Sequence, residues 1–226
     1  MGQLDQHDVQ ILYSEVVRET DGISFIDHSF QLDNIKYFYP ASSVKLPIAI
    51  LAMEYLNDLP GIDRNSRFQI IEEDSIITTV ADEVRKIFVV SDNSAYNRLF
   101  ELFGQDSIEA KLNRRGIHPI RISHRVSTSN SGRTITRPVK FMLDDSTWIV
   151  YDSIVSKDLE KLNFKNIMKG KGGLSGNEIL EDPFDFSLKN YYPLTAQQDV
   201  LKRVIFPEAF EPKEWFNLTE EQLEYI

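Results

Sequence analysis

An α+β fold follows from three features of this 226-residue sequence. Alternating strands open the chain, helical segments fill its middle, and strand and turn signals mix toward its end. Residues 8 to 18, DVQILYSEVVR, alternate through Val9, Ile11, Tyr13 and Glu15, with Val17 following, which is strand periodicity. The segment ETDG then turns the chain, its Asp21-Gly22 pair being a strong hairpin signal. ISFIDHSFQL returns as the second strand. From Ser43 to about Asp58 the apolar residues Val44, Leu46, Ile48, Leu51, Ala52 and Tyr55 cover most of a helix surface, which predicts a central, buried helix. Pro47 removes one backbone donor near its start, a tolerable loss. A second helix is predicted from about Ser75 to Val89 and a third from about Asn93 to Phe103, closed by Gly104. In DSIEAKLNRRG, Asp106 is the expected cap and Gly116 the terminator of a fourth.

Beyond His118 the chain reads as strands and long polar turns, with an exposed loop expected from Ser127 to Thr136. KGKGGLSGNE is a turn-rich connector. TAQQDVLKRVIF is the last clear helix, with Thr195 as its expected cap and Pro207 just past its end. No repeat and no linker divides the chain, so residues 1–226 are expected to form a single domain.

Composition excludes several classes. A net charge of -10 and a sequence pI near 4.9 disfavour nucleic acid and anionic membrane surfaces as partners. The longest apolar run, around Leu46 to Met53, is about half of the roughly 20 residues a membrane span needs. MGQLDQHD lacks the basic-then-apolar pattern of a signal peptide. Without cysteine there is no disulfide framework and no thiolate nucleophile. His7, His28, His118 and His124 show no ligand-pair spacing, so neither metal nor cofactor is expected. The acidic run EEDS at 72 reads as a solvated face.

Two short motifs carry chemistry. Residues 39 to 45 read YPASSVK, which places Ser42 and Lys45 three apart on one helix face. A serine hydroxyl is a poor nucleophile until a base takes its proton, and burial can lower a lysine pKa enough for that task. The free amides of a helix N-terminus favour negative charge developing beside Ser42. Serine is also a favoured helix cap, so the spacing alone is weak. The second motif is Ser91-Asp92-Asn93 within VVSDNSAYN, again just before a helix, where Asp and Asn would serve as caps.

Together, YPASSVKLP and VVSDNSAYN resemble the penicillin-recognising serine enzymes, the class A β-lactamases and related penicillin-binding proteins, which carry Ser-x-x-Lys and then Ser-Asp-Asn. The resemblance covers most of residues 8 to 206. It implies a β-lactamase/transpeptidase-like fold, a helical subdomain packed on an antiparallel sheet. It also implies Ser42 as the acylated nucleophile, Lys45 as its base or proton relay, and Ser91 passing a proton to the leaving nitrogen. Asn93 would hold the substrate's amide side chain, Asp92 would support the loop, and the Ser42 amide would be one oxyanion donor. The substrate implied is a small molecule or peptide with an amide or ester bond, β-lactam or peptidoglycan-like.

Three departures stand against the pattern. The glutamate that activates water in class A enzymes lies in Glu-x-x-Leu-Asn, whereas DLEKLN puts Glu160 three residues before Asn163 rather than four. Glu160 is therefore read as an exposed helix charge. The Lys-Thr-Gly strand has only Lys171-Gly172-Gly173 as a near match, and it precedes the last helix instead of following it. The first helix of the family is missing as well. The chain is accordingly expected to be an incomplete domain, truncated at both ends and lacking its C-terminal strands, from a longer secreted or periplasmic protein. It is also expected to self-associate through an exposed sheet edge. A β-lactamase, a D,D-peptidase, an esterase, and a penicillin or peptidoglycan-peptide sensor without turnover all stay open. So does an interaction domain whose motifs are only caps.

Overall fold

The computed structural model describes residues 7–20, 22–71, 75–175 and 178–226. Asp21 of the predicted turn, residues 72–74 of the acidic run and residues 176–177 of the connector lie outside this set. The chain opens with an antiparallel hairpin of β1 (Ile11–Glu19) and β2 (Gly22–Phe30), paired in register from Ile11 opposite Phe30 to Glu19 opposite Gly22. β1 starts three residues after the first residue of the alternating segment, Asp8, which sits at φ 49, off the strand conformation.

A 3-10 turn over Ala41–Val44 runs directly into α1 (Lys45–Leu56). Burial of α1 follows its composition: Lys45, Pro47 and every residue from Ile48 to Glu54 are buried, and Leu46 and Tyr55 are half-buried. Around it pack β3 (Arg67–Ile70), β4 (Thr78–Thr79), α2 (Val80–Val90), α3 (Asn93–Phe100) and α4 (Gln105–Asn113). β5 (Val139–Met142) and β6 (Trp148–Tyr151) complete an antiparallel sheet of order β4-β3-β5-β6. Helices and sheet share one core that joins Ile48, Leu51, Phe68, Val84, Leu99, Phe141 and Val200. The architecture is α+β.

Several boundaries differ from the sequence reading. α2 begins at Val80 and not near Ser75, because Thr79 adopts an extended conformation and its hydroxyl accepts the Asp82 N–H at 3.0 Å, a standard N-cap. α3 closes at Phe100, and Gly104 (φ +68) marks the entry to α4. Asp106 is not a cap: it lies inside α4, and its carboxylate accepts the Lys157 N–H at 3.0 Å. The connector after residue 167 holds short pairs, β7 (Met168–Lys169) with β10 (Phe184–Asp185) and β8 (Gly173–Ser175) with β9 (Glu178–Leu180). α5 (Leu194–Ile205) enters from Pro193 without a side-chain cap, and the Thr195 hydroxyl is buried without a partner. A final helix, α6 (Glu220–Tyr225), is capped reciprocally by Thr219 and Gln222.

One face of the hairpin packs on α5. Phe25 meets Phe206 at 5.7 Å between ring centroids, and Lys202 pairs with Asp27 at 2.8 Å. Ile11, Tyr13, Ile26 and Phe30 lie on the other face, which is exposed.

Candidate active site

The 3-10 turn presents two serines side by side, and their surroundings separate them. The Ser43 hydroxyl donates to the Pro40 carbonyl at 2.7 Å and is spent on the turn. The Ser42 hydroxyl is exposed and makes no hydrogen bond among the described residues. Its backbone N–H likewise has no backbone acceptor there. Ala41, just before it, sits at φ 46, a left-handed conformation that costs an L-residue about 1–2 kcal/mol. Such a strained position persists only where its neighbours hold it.

Lys45 begins α1 and is 2 % exposed. Its ammonium has three acceptors: the Ser91 carbonyl, the Ser91 Oγ at 2.9 Å and the Asn93 Oδ1 at 2.7 Å. Burial holds its pKa below the ordinary lysine value, with the nearby Asp92 carboxylate opposing the shift. Of the three acceptors, only the Ser91 hydroxyl can also donate. A neutral amine would keep its two N–H groups on the two carbonyl oxygens and turn its lone pair to the Ser91 O–H.

Ser91 is the left-handed residue that ends α2 (φ 54, ψ 43), and Asp92 opens α3 by accepting the Ala95 N–H at 2.7 Å. This tight helix-to-helix junction points Ser91 and Asn93 at the buried lysine while Asp92 is used as a cap. Ser42, Lys45 and Ser91 line one cleft of about 250 Å³ with Leu46, Phe88 and Tyr192. No hydrogen bond joins Ser42 Oγ to Lys45 Nζ in this state. Catalytic contacts are often loose in unliganded enzymes and tighten on substrate binding. Among the described residues no Asp or Glu lines the cleft.

A second layer was not legible in the motifs. The Asn93 amide donates to Ser127 Oγ at 3.0 Å, and Ser127 (φ 55) belongs to the loop expected to be exposed. That loop is pinned: the Asn97 side chain accepts the Val126 N–H at 2.8 Å and donates to the Val126 carbonyl at 2.9 Å. Arg125 forms a two-pronged ion pair with Glu101 at 2.6 and 2.7 Å, and Glu101 also takes the Arg137 N–H. Asn97 stands four residues after Asn93 on the same helix face, the spacing that could have flagged it. Tyr192, buried beside Ser42, keeps an unpaired hydroxyl whose pKa burial pushes up, so it stays protonated.

Glu160 is elsewhere. It lies in irregular chain and not on a helix, lining a separate polar cavity with Arg121 and Lys157. Among the described residues no group of His, Cys, Asp and Glu could hold a metal ion.

The model of the beta-lactamase enzyme family matches residues 26–171. That span includes both short motifs and the pinned loop. No curated protein and no solved structure matches the chain.

Proposed function

The chain belongs to the beta-lactamase enzyme family, and from that premise we propose that it is a serine acyl-enzyme hydrolase acting on an amide or ester carbonyl. One observation carries the reading: a lysine 2 % exposed, bound to Ser91 and Asn93, lines the same cleft as an unengaged serine hydroxyl. As the neutral amine, Lys45 turns its lone pair from Ser91 to Ser42 once substrate is bound, and accepts the Ser42 proton while Ser42 Oγ attacks the carbonyl carbon. The oxyanion that forms takes the unengaged Ser42 N–H. Ser91 then gives its hydroxyl proton to the leaving nitrogen or oxygen and regains one from the Lys45 ammonium, so the C–N or C–O bond breaks and an ester on Ser42 remains. Asn93, already bonded to Lys45, turns its amide toward the substrate's acyl side.

Release of the acyl group needs an activated water. Among the described residues no carboxylate lines the cleft to activate one, and a slowly released acyl-enzyme is the corresponding expectation. This favours a second reading, a penicillin or peptidoglycan-peptide binding module that acylates without turnover. The leaving group could come from a β-lactam, a peptide or a simple ester, since the acylation machinery is common to all three.

The test is labelling by a fluorescent penicillin and by an activated fluorescent ester, read by intact-protein and peptide mass spectrometry. An adduct on Ser42, absent in Ser42→Ala, is the expected result. Absence of any adduct on the folded wild-type chain from either reagent would remove the acylation reading. Label that is stoichiometric and stable for hours would mark the binding module, and multiple turnovers would mark the hydrolase.

A further inference from the structure

A second cavity, of about 340 Å³, has no lining residue in common with the Ser42 cleft. Tyr39, Phe184 and Phe186 form its apolar wall, with ring centroids 5.1 Å apart for Tyr39 and Phe186 and 4.7 Å for Phe184 and Phe186. Lys189 stands at the wall, its Nζ 5.6 Å from the Phe184 ring centroid. No Asp or Glu lines the cavity, and no carboxylate pairs with Lys189 among the described residues. The other cation there, Arg125, is spent on Glu101. A lysine with no carboxylate partner among the described residues, beside an aromatic wall, offers an anion a charge-assisted contact.

A buried acceptor also lines the cavity, suited to a donor on a ligand and not to its anionic group. His124 is 6 % exposed and lines the same cavity. Its Nδ1 lies 2.8 Å from the Arg125 carbonyl, so Nδ1 carries the proton and Nε2 keeps a lone pair, which has no partner. The cavity is also joined to the reacting groups. Ser127 lines it and bonds Asn93, whose other end bonds Lys45, and Tyr39 precedes Ser42 by three residues.

We propose that this cavity binds a flat carboxylate, an aromatic ring with an anionic substituent, with the ring against Tyr39, Phe184 and Phe186 and the carboxylate on Lys189. In placing that group on the acyl side of a Ser42 substrate, the proposal rests on the acyl-enzyme reading; the binding itself does not. A cavity of this volume matches the small end of ligand pockets, enough for one ring and its substituents.

The binding arm of the test uses phenylacetate and its uncharged counterpart phenylacetamide, titrated into the full chain and followed by NMR. The expected result is that phenylacetate binds about tenfold more tightly than phenylacetamide, the worth of one charge-assisted contact. Lys189→Gln should make the two equal, and Ser42→Ala should leave both unchanged. Equal binding of the two in the wild type, no binding, or a preference surviving in Lys189→Gln would overturn the proposal, whatever Ser42 does. The acylation arm compares the 4-nitrophenyl hemiester of terephthalic acid with 4-nitrophenyl 4-carbamoylbenzoate, and the hemiester should acylate Ser42 faster by a similar factor that Lys189→Gln removes. Selective phenylacetate binding without acylation by either ester would keep the anion site and discard the acyl-enzyme reading. Acylation with no preference for the hemiester would overturn the acyl-side placement.

Discussion

In the proposed acylation Lys45 would act as the base, and its surroundings pull in two directions. Burial disfavours the ammonium, whereas the Ser91 and Asn93 oxygens give it three acceptors. Since the folded pKa lies below the ordinary lysine value of about 10.4, the neutral amine becomes populated at lower pH than in an exposed lysine. Acylation of Ser42 should therefore rise with pH and inflect below that value, which stopped-flow labelling across pH would show; an inflection at or above it would detach the rate from Lys45. The same shift links to stability. Between the folded and unfolded pKa values only the unfolded chain holds the proton, so this group's contribution to stability grows as pH rises through that window. Ser91 offers a sharper separation of fold from function. It occupies a left-handed position that glycine adopts freely, so Ser91→Gly should stabilise the chain by about 0.5–1 kcal/mol. The same change should slow acylation by about a hundredfold if Ser91 is the proposed proton relay. Denaturant melts and labelling rates on the same variant would check both signs.

Helices and loops place these residues, and their legibility was uneven. α1 could be read directly, because an apolar surface on all sides admits only a buried helix. The Ser91-Asp92-Asn93 junction was legible as a cap, and a cap is what Asp92 is. The start of α2 was misread because serine at 75 offers as good a cap as threonine at 79. Only the pairing of Phe68 with Thr78 and Phe141, distant in sequence, fixes where the extended stretch ends. Thr195 failed as a cap for a similar reason, since Pro193 already sets the helix entry. The Ser127 contact could not be found at all: its partner Asn93 is 34 residues away, and a lone serine in a polar loop carries no signal. What holds that loop is the buried Arg125–Glu101 pair, 1 % and 0 % exposed. Glu101→Gln would leave a buried guanidinium unbalanced and should cost about 3–5 kcal/mol, measured by urea unfolding.

Across the whole molecule, stability is distributed unevenly. The core around α1 joins every helix from α1 to α5 to the four-stranded sheet, whereas the opening hairpin rests on α5 by one face only. Elements with an open apolar face and few buried contacts are the ones that open locally. Native-state hydrogen exchange should accordingly show α1 amides exchanging only through global unfolding and β1–β2 amides through a lower-energy opening; equal protection in both would contradict this. The exposed Ile11, Tyr13, Ile26 and Phe30 mark where that opening begins. The enclosure of α1 has a practical corollary. Since Lys45 belongs to the innermost helix of the protein, its environment cannot be lost while the interior stays intact. A covalent Ser42 reagent would then serve as a census of native molecules, its yield tracking the folded fraction through denaturation more faithfully than any probe placed on the hairpin.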